Sequence, residues 1–428
     1  MDLWTVLKDE WCELPPRYLQ TLVESMPHRV AALLCVHGAL HDIRQEGQLL
    51  WTSHHWVIGI TDSAAKISKE EDDLKAKANF LKTISINDEG RYEVALPWKE
   101  NHIPLSSHKD LALKRLQKVT TNLKSDNFYQ VYDNVLKKWS ELGIIEEVPP
   151  DDVNSFGHHL PRRPVIKQKS STEVRPVFVA SAREKSTISL NQCLNCGPNL
   201  IEFIPSLLLR LQERKYGVSA DIEKALLQIS VRKSDRDYLR FSWWTENGHI
   251  KVYRHTRVVS GVVSSPFLPG AVLKFHLKRL SEDPHYNKRI LGKLKKKFYV
   301  DNVVAIVDRE EEIYQFIHEA KDVMSKGMFN LRAWQCTGDK KISASSLWGI
   351  LWKRDADCLQ LNLQRLERLE KIKVTKREML SIAKKIFDPI GIVCPVLLVS
   401  KLLLQKMWKT EILRDDEVDE GTKREFSE

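Results

Sequence analysis

The chain has 428 residues, 42% of them hydrophobic and 29% charged, with a formal charge of +10 at pH 7. This composition excludes a disordered chain and leaves room for two to four domains, and the basic balance favours a polyanionic partner such as nucleic acid. The longest apolar runs, such as PVLLVSKLLL, are short and broken by Lys401, so no membrane span or membrane partner is expected.

The N-terminus MDLWTVLKDEW is acidic and lacks a signal-peptide layout, and seven scattered cysteines fit an intracellular, reducing compartment. In chain order, Ser68 with Glu71 forms a capping-box pattern ahead of DDLKAKANFL. Phe128, Val131, Tyr132, Val135, Leu136, Trp139 and Leu142 recur at helical spacing, and Gly143 ends that helix. Cys193 and Cys196 form one CxxC with no second pair to complete a zinc site, so they read as structural thiols.

Strand signals cluster from about residue 215 to 365: YGVSAD, YLRFSWW, IKVYRHTRVV, FYV with VVAIV, LWGILW and CLQLNL. Helices are expected over about 266–280 and 310–325. Ser265 is the expected N-cap of the first, with Pro266 at its first position and Pro269 straining its first turn. Thr375 with Glu378 marks another helix start, ahead of MLSIAKKIF. The charged end RDDEVDEGTKREFSE reads as a solvated helix or frayed tail. The mixture indicates an α+β fold rather than a regular βαβ alternation.

Two acids stand out because each ends an apolar strand-like run: Asp221 in YGVSAD and Asp301 in FYVDN. Nucleotidyl transfer asks mainly for carboxylates that hold two Mg²⁺ ions about 3.5–4 Å apart, so acids of this kind suit it if the fold unites them. The neighbouring segment Asn287–Lys297 carries Lys288, Arg289, Lys293, Lys295, Lys296 and Lys297 and no acid; it reads either as a phosphate-backbone contact or as an exposed basic turn.

The ordered set ADIEKALLQI, VVSGVVSSPFL, FYVDN, FNLRAW and LWGILW resembles the palm motifs of reverse transcriptases, specifically those of Bel/Pao long-terminal-repeat retrotransposons. LPWKENHIPL, LKRL, GIIEEVP, SLNQCLNCGPNL, TKREMLSIAKKIFDPIG and KLLLQKMW extend the resemblance over about residues 91–408. It implies a right-hand polymerase with fingers, palm and thumb, a mixed palm sheet and a helical N-terminal extension. The implied division is a transposase-like tail at 1–34, a protease-to-polymerase connector at 35–100, and an N-terminal region with fingers at 101–215. A palm with a fingers insertion follows at 216–345, then primer grip, thumb and the start of a connection at 346–428.

The implied activity is RNA-directed DNA polymerisation. Asp221 and Asp301 would be the catalytic Mg²⁺ (or Mn²⁺) ligands and Asn302 an auxiliary one. Gly261, Ser265 and Pro266 would lie against template and incoming nucleotide, Lys167 and Arg175 would meet the triphosphate, and Leu226 would stand under the sugar. Lys293, Lys295, Lys296, Lys297 and Gly349 would contact nucleic acid. The implied partners are an RNA or DNA template with primer, a deoxynucleoside triphosphate, and other modules of a retroelement polyprotein.

The sequence also departs from the family pattern. Asn302 replaces a second Asp, Leu226 an aromatic, Val179 an Asp, Ser260 a Phe, Arg163 a His and Pro269 a Leu. The rival reading is therefore a decayed remnant that binds nucleic acid non-specifically. MDLWTVLKDEWCELPPRYLQTLVESMPHRVAALL resembles the C-terminal tail of mariner-type transposases, with Met1 where their catalytic Glu stands, so no transposase chemistry is expected. Asp62-Ser63-Ala64 lacks the Gly of an aspartic-protease triplet, so no protease is expected either. The chain is expected to stop before any ribonuclease H or integrase region.

Overall fold

The computed structural model describes residues 63–100, 102–166, 174–200, 204–211, 214–286, 288–295, 298–299, 301–339, 344–362, 374–388, 391, 393–408 and 412–427. The expected transposase-like tail (1–34) and residues 35–62 of the expected connector lie outside these. The chain divides into two compact units, one of 61–203 with 210–335, the other of 1–60, 204–209 and 336–428.

In the first unit, helix α1 (Ser63–Thr83) leads into strands β1 (Ser85–Ile86) and β2 (Tyr92–Val94). α1 begins at Ser63 and runs through Ser68, so the capping-box pattern does not mark its start. A Ser–x–x–Glu spacing is a local signal, and the upstream residues Ser63–Ile67, with two alanines and a lysine, are compatible with a helix that starts earlier. Helices α2 (Lys109–Ser125) and α3 (Tyr129–Glu141) follow. α3 buries Tyr132 and Leu136, as its apolar spacing predicts, and ends at Gly143, whose φ of +61° is left-handed.

The α2–α3 layer covers a sheet of order β3-β9-β8, with β3 at Ile145–Glu147, β8 at Arg240–Trp244 and β9 at Ile250–His255, beside the hairpin β4 (Arg162–Ile166) and β5 (Val174–Phe178). Arg162 is buried there, with no carboxylate partner among the described residues. Its guanidinium faces the rings of Trp243, Phe241 and Tyr132 at 4.3, 5.0 and 5.7 Å, and one nitrogen donates to the Ser242 carbonyl.

The second layer is a sheet of order β10-β11-β6-β12: β6 is Tyr216–Ile222, β10 Phe298–Tyr299, β11 Asn302–Val307 and β12 Leu331–Cys336. The pairings of β10 with β11 and of β11 with β6 are antiparallel; a parallel pairing joins β2 to β7 (Ser230–Val231) in a separate sheet. Val303, Ala305 and Val307 are buried on one face of β11, and Val304 and Ile306 on the other, so this β-branched run is packed from both faces. Helices α4 (Phe267–Ser281), α5 (Lys288–Lys295) and α6 (Glu311–Ser325) complete this region.

α4 starts differently from the expected cap. Pro266 holds the cap position, and the Ser265 hydroxyl donates instead to the Val259 carbonyl at 2.5 Å. Pro269 falls at the third helical residue, within the first turn, where a proline is tolerated better than in a helix interior.

The second unit contains a β13-β14-β15 sheet (Ala344–Leu347, Ile350–Lys353, Cys358–Gln360) and helices α7 (Lys376–Lys385), α8 (Cys394–Trp408) and α9 (Glu420–Ser427). Here the cap prediction holds, because Thr375 accepts from the Glu378 amide at 3.2 Å. Met379, Leu403, Leu404, Met407 and Val418 form the core of this helical cluster. Only the second half of the charged C-terminal run is helical, as α9, and the run is not wholly solvated: Val418 and Thr422 are buried and Phe426 packs against this core. Among the described residues, no helix is long and apolar enough to cross a membrane.

One buried chain ties three elements of the first unit together. The Tyr92 hydroxyl donates to His276 Nδ1 at 2.9 Å, and His276 Nε2 donates to the Val323 carbonyl at 2.8 Å, joining β2, α4 and α6. Burial lowers the His276 pKa to about 4. A histidine whose folded pKa lies below its unfolded value of about 6.5 keeps a proton off the folded chain that the unfolded chain binds. Stability is therefore lost as pH falls from about 6.5 towards 4. Urea unfolding at pH 7 and pH 5 should show a loss about 2 kcal/mol larger in the wild type than in a His276→Gln variant; equal losses would refute the assignment.

Candidate active site

The antiparallel register of β6 and β11 brings the two sequence-nominated acids together. Six pairs run from Tyr216–Val307 to Asp221–Asn302, and the Ile222 amide donates to the Asp301 carbonyl at 2.8 Å. Asp301 lies in the turn that links β10 to β11, and Asn302 stands directly across from Asp221. Burial, and then the Asp221 charge, push the Asp301 carboxyl above the usual carboxylate range, while Arg175 pulls it back.

The Asn302 amide nitrogen donates to Asp221 Oδ1 at 3.3 Å, the direction an accept-only carboxylate permits, and this contact orients Asp221.

Both acids line a cavity of 1090 Å³. Leu226, Gly261, Ser265, Pro266, Arg175 and Lys295, all nominated from sequence, line it too. Leu226 sits half-buried in a 3₁₀ turn, Ala225–Gln228, placed immediately after β6. Gly261 has a φ of +103°, and a Cβ there would lie 1.8 Å from the Phe178 carbonyl oxygen. The loop is held by Asn191, whose amide nitrogen donates to the Gly261 carbonyl at 3.2 Å and whose oxygen accepts from the Val263 amide at 2.8 Å.

Other nominated residues fall elsewhere. Lys293 lies outside the cavity: α5 buries Ile290, Leu291 and Leu294, and Lys293 is half-buried near Arg289 and Glu312, with burial lowering its pKa. Gly349 belongs to the second unit, in the β13–β14 turn, with a φ of +90° and the Phe387 ring 2.8 Å from its would-be Cβ. Lys167, Lys296 and Lys297 lie outside the described residues.

Among the departures, Val179 anchors its junction through the backbone: its amide donates to the Pro161 carbonyl at 2.7 Å, and its carbonyl accepts from the Ala182 amide at 3.0 Å. Ser260 and Pro269 line the cavity, and Arg163 is exposed on β4 opposite Val177.

Two further residues complete the site. Arg332, on β12, places Nε 3.5 Å from Asp221 Oδ2 and Nη1 3.3 Å from Glu223 Oε1. Glu223 follows Asp221 by two residues and also accepts from Asn330 Nδ2 at 2.9 Å. The i, i+2 spacing of two acids was a legible hint for Glu223; nothing local singled out Arg332.

The donor set suits a hard divalent cation. Mg²⁺ takes few protein oxygens and keeps water and phosphate as its other ligands, so Asp221 and Asp301 suffice. Among the described residues, no group of three or more His, Cys, Asp or Glu side chains forms a metal cluster.

Comparison with known proteins adds two findings. Residues 375–428 match the Pao retrotransposon-like RNaseH-like domain family. The fold is similar to that of a foamy viral protease-reverse transcriptase in complex with an RNA/DNA hybrid, at 13% identity and a TM-score of 0.51, covering 89% of this chain and 46% of that one. A foamy viral protease-reverse transcriptase dRH in complex with double-stranded DNA aligns at 13% identity and a TM-score of 0.48, covering 83% of this chain and 58% of that one. The chain thus spans about half the length of these structures. No curated protein matches it.

The fold is thus α+β and similar to that of a reverse-transcriptase structure, and residues 375–428 are similar to a retrotransposon domain family. The family match also corrects the expectation that the chain stops short of any ribonuclease-H-related region. Its described residues form helices α7, α8 and α9 with one isolated bridge, Thr375–Glu417.

The close approach at Gly261 yields a direct test. Gly261→Ala should cost about 2–4 kcal/mol in urea unfolding, from strain at positive φ and a backbone clash. Gly270→Ala, whose added Cβ would meet Leu200 at 3.3 Å within a helix, should change stability by under about 1 kcal/mol. Comparable costs for the two variants would contradict the geometry.

Proposed function

We propose that this chain is the reverse-transcriptase part of a Bel/Pao-type retroelement polyprotein, an RNA-directed DNA polymerase. The observation that carries the reading is the β6–β11 register. It holds Asp221 and Asp301 at neighbouring strand ends, on the wall of a cavity also lined by Lys138, Arg175, Lys224, Lys274, Lys295 and Arg332. Three acids at one place among six basic side chains suit a polyanion that meets divalent cations there.

In this reading Asp221 and Asp301 hold Mg²⁺ or Mn²⁺, which when bound activates a primer 3′-hydroxyl and neutralises charge developing on the triphosphate. The protein's own groups position the reactants. Arg175, joined by Lys167, meets the triphosphate; a planar guanidinium is suited to that contact. Gly261, with no side chain, leaves its loop close to β5, and the Ser265 hydroxyl braces that loop from within. Leu226 stands under the sugar, where a branched aliphatic fills part of the space a 2′-hydroxyl needs. Lys295 continues the basic surface along the template–primer, and residues 216–345 serve as the palm.

The test is primer extension by purified protein on an RNA or DNA template with Mg²⁺ or Mn²⁺, beside Asp221→Asn. Incorporation in the wild type that drops about 100-fold or more in the variant is expected, because the substitution removes a metal-bearing charge. No incorporation by either protein, with salt-sensitive template binding intact, would instead establish the non-catalytic remnant.

A further inference from the structure

The ion pair at Asp221 has a place in this site that its contribution to stability does not explain. Asp221, Glu223 and Arg332 side chains are 31%, 34% and 43% exposed, and pairs so open to water add little to folding. Yet the arrangement is specific. Every carboxylate oxygen of Asp221 and Glu223 faces a donor: Asn302 at Asp221 Oδ1, Arg332 Nε at Oδ2, Arg332 Nη1 at Glu223 Oε1 and Asn330 at Oε2.

The backbone is bent to allow it. Ala333, next to Arg332 inside β12, has a φ of +50°, a left-handed conformation that a non-glycine residue rarely holds within a strand. A local kink of this kind re-aims the neighbouring side chain, and the Glu223 amide clamps the strand start by donating to the Asn330 carbonyl at 2.9 Å.

We propose that Arg332 is the built-in counter-cation of Asp221, occupying the Oδ2 side of the carboxylate and yielding it, by turning onto Glu223, when a divalent cation binds. The inference rests on the reading of Asp221 as a metal ligand. Arg332 is a positioning residue: it touches neither reacting atom but sets how readily Asp221 accepts a cation. Its fork already spans both acids, so the change requires only that Nε give up Asp221 while Nη1 keeps Glu223. Glu223 thereby acquires a role that metal ligation does not give it, as the acid onto which the displaced guanidinium settles.

The experiment is Mn²⁺ titration followed by electron paramagnetic resonance of the free ion, without nucleic acid. It uses wild type, Arg332→Gln, Arg332→Lys, and Arg332→Gln combined with Asp221→Asn. Arg332→Gln should bind Mn²⁺ about 3- to 10-fold tighter than wild type at low salt, with the gain shrinking as salt rises. Arg332→Lys should return affinity towards the wild-type value, and Asp221→Asn should erase the gain. Unchanged or weaker binding in Arg332→Gln would overturn the inference, as would a gain that survives Asp221→Asn. Primer extension by the wild type separates the two claims. Incorporation together with unchanged Mn²⁺ affinity in Arg332→Gln sinks the counter-cation role and leaves the polymerase reading standing. A gain dependent on Asp221 without incorporation does the reverse.

Discussion

The antiparallel pairing of β6 with β11 is the constraint on which the site depends. Asp221 and Asp301 are eighty positions apart in the chain, and only this ladder makes them neighbours. A slip of one residue would turn Asp221 to the opposite face and put a hydrophobic residue across from Asn302. Two features hold the register. The β10–β11 hairpin, closed by the Tyr299–Asn302 pair, sets where β11 begins. Burial of Val303, Ala305 and Val307 against Val218 and Ala220 penalises any shift that would mismatch the packed faces.

Around that ladder, the first unit separates its buried charges from its working ones. Arg162 is enclosed by aromatic rings, and the Tyr92–His276–Val323 chain is satisfied without an ion. These groups contribute to a specific packing and are inaccessible to a ligand. The cations on the cavity wall are of the other kind: Arg175, Lys274 and Lys295 are exposed, Lys295 donating to the Ser281 hydroxyl at 2.9 Å. The division follows from solvation. A buried charge must be compensated within the protein, whereas an exposed one keeps most of its hydration until a partner replaces it.

Much of this was legible in the sequence. Runs of β-branched residues gave β6, β8, β9 and β11 within a few positions, and helical spacing gave α3, α4 and α6. The acids were nominated by their place at strand ends and assigned a role by resemblance. What escaped were features set by contacts distant in sequence. Ser265 looked like a cap, but the Val259 carbonyl competes for its hydroxyl. Lys293 looked like part of a phosphate-binding run, but the amphipathic period of α5 turns it toward Glu312. Arg332 was invisible because its aim comes from a kink at Ala333 and from pairing between β12 and β6.

Asn302 shows how one atom alters the electrostatics of such a site. An Asp at that position would set two carboxylates directly across an antiparallel pair, where like charges repel and a cation is needed to hold them. The amide removes that repulsion and converts it to a hydrogen bond, so Asp221 is oriented before any cation arrives. The same change removes one negative charge and weakens the attraction for a divalent ion. With fewer negative charges to draw the ion, a guanidinium 3.5 Å from Asp221 competes on more equal terms than it would against a pair of facing acids. In the proposed reading orientation is therefore gained where affinity is lost, and cation binding at Asp221 would depend on where the Arg332 side chain lies.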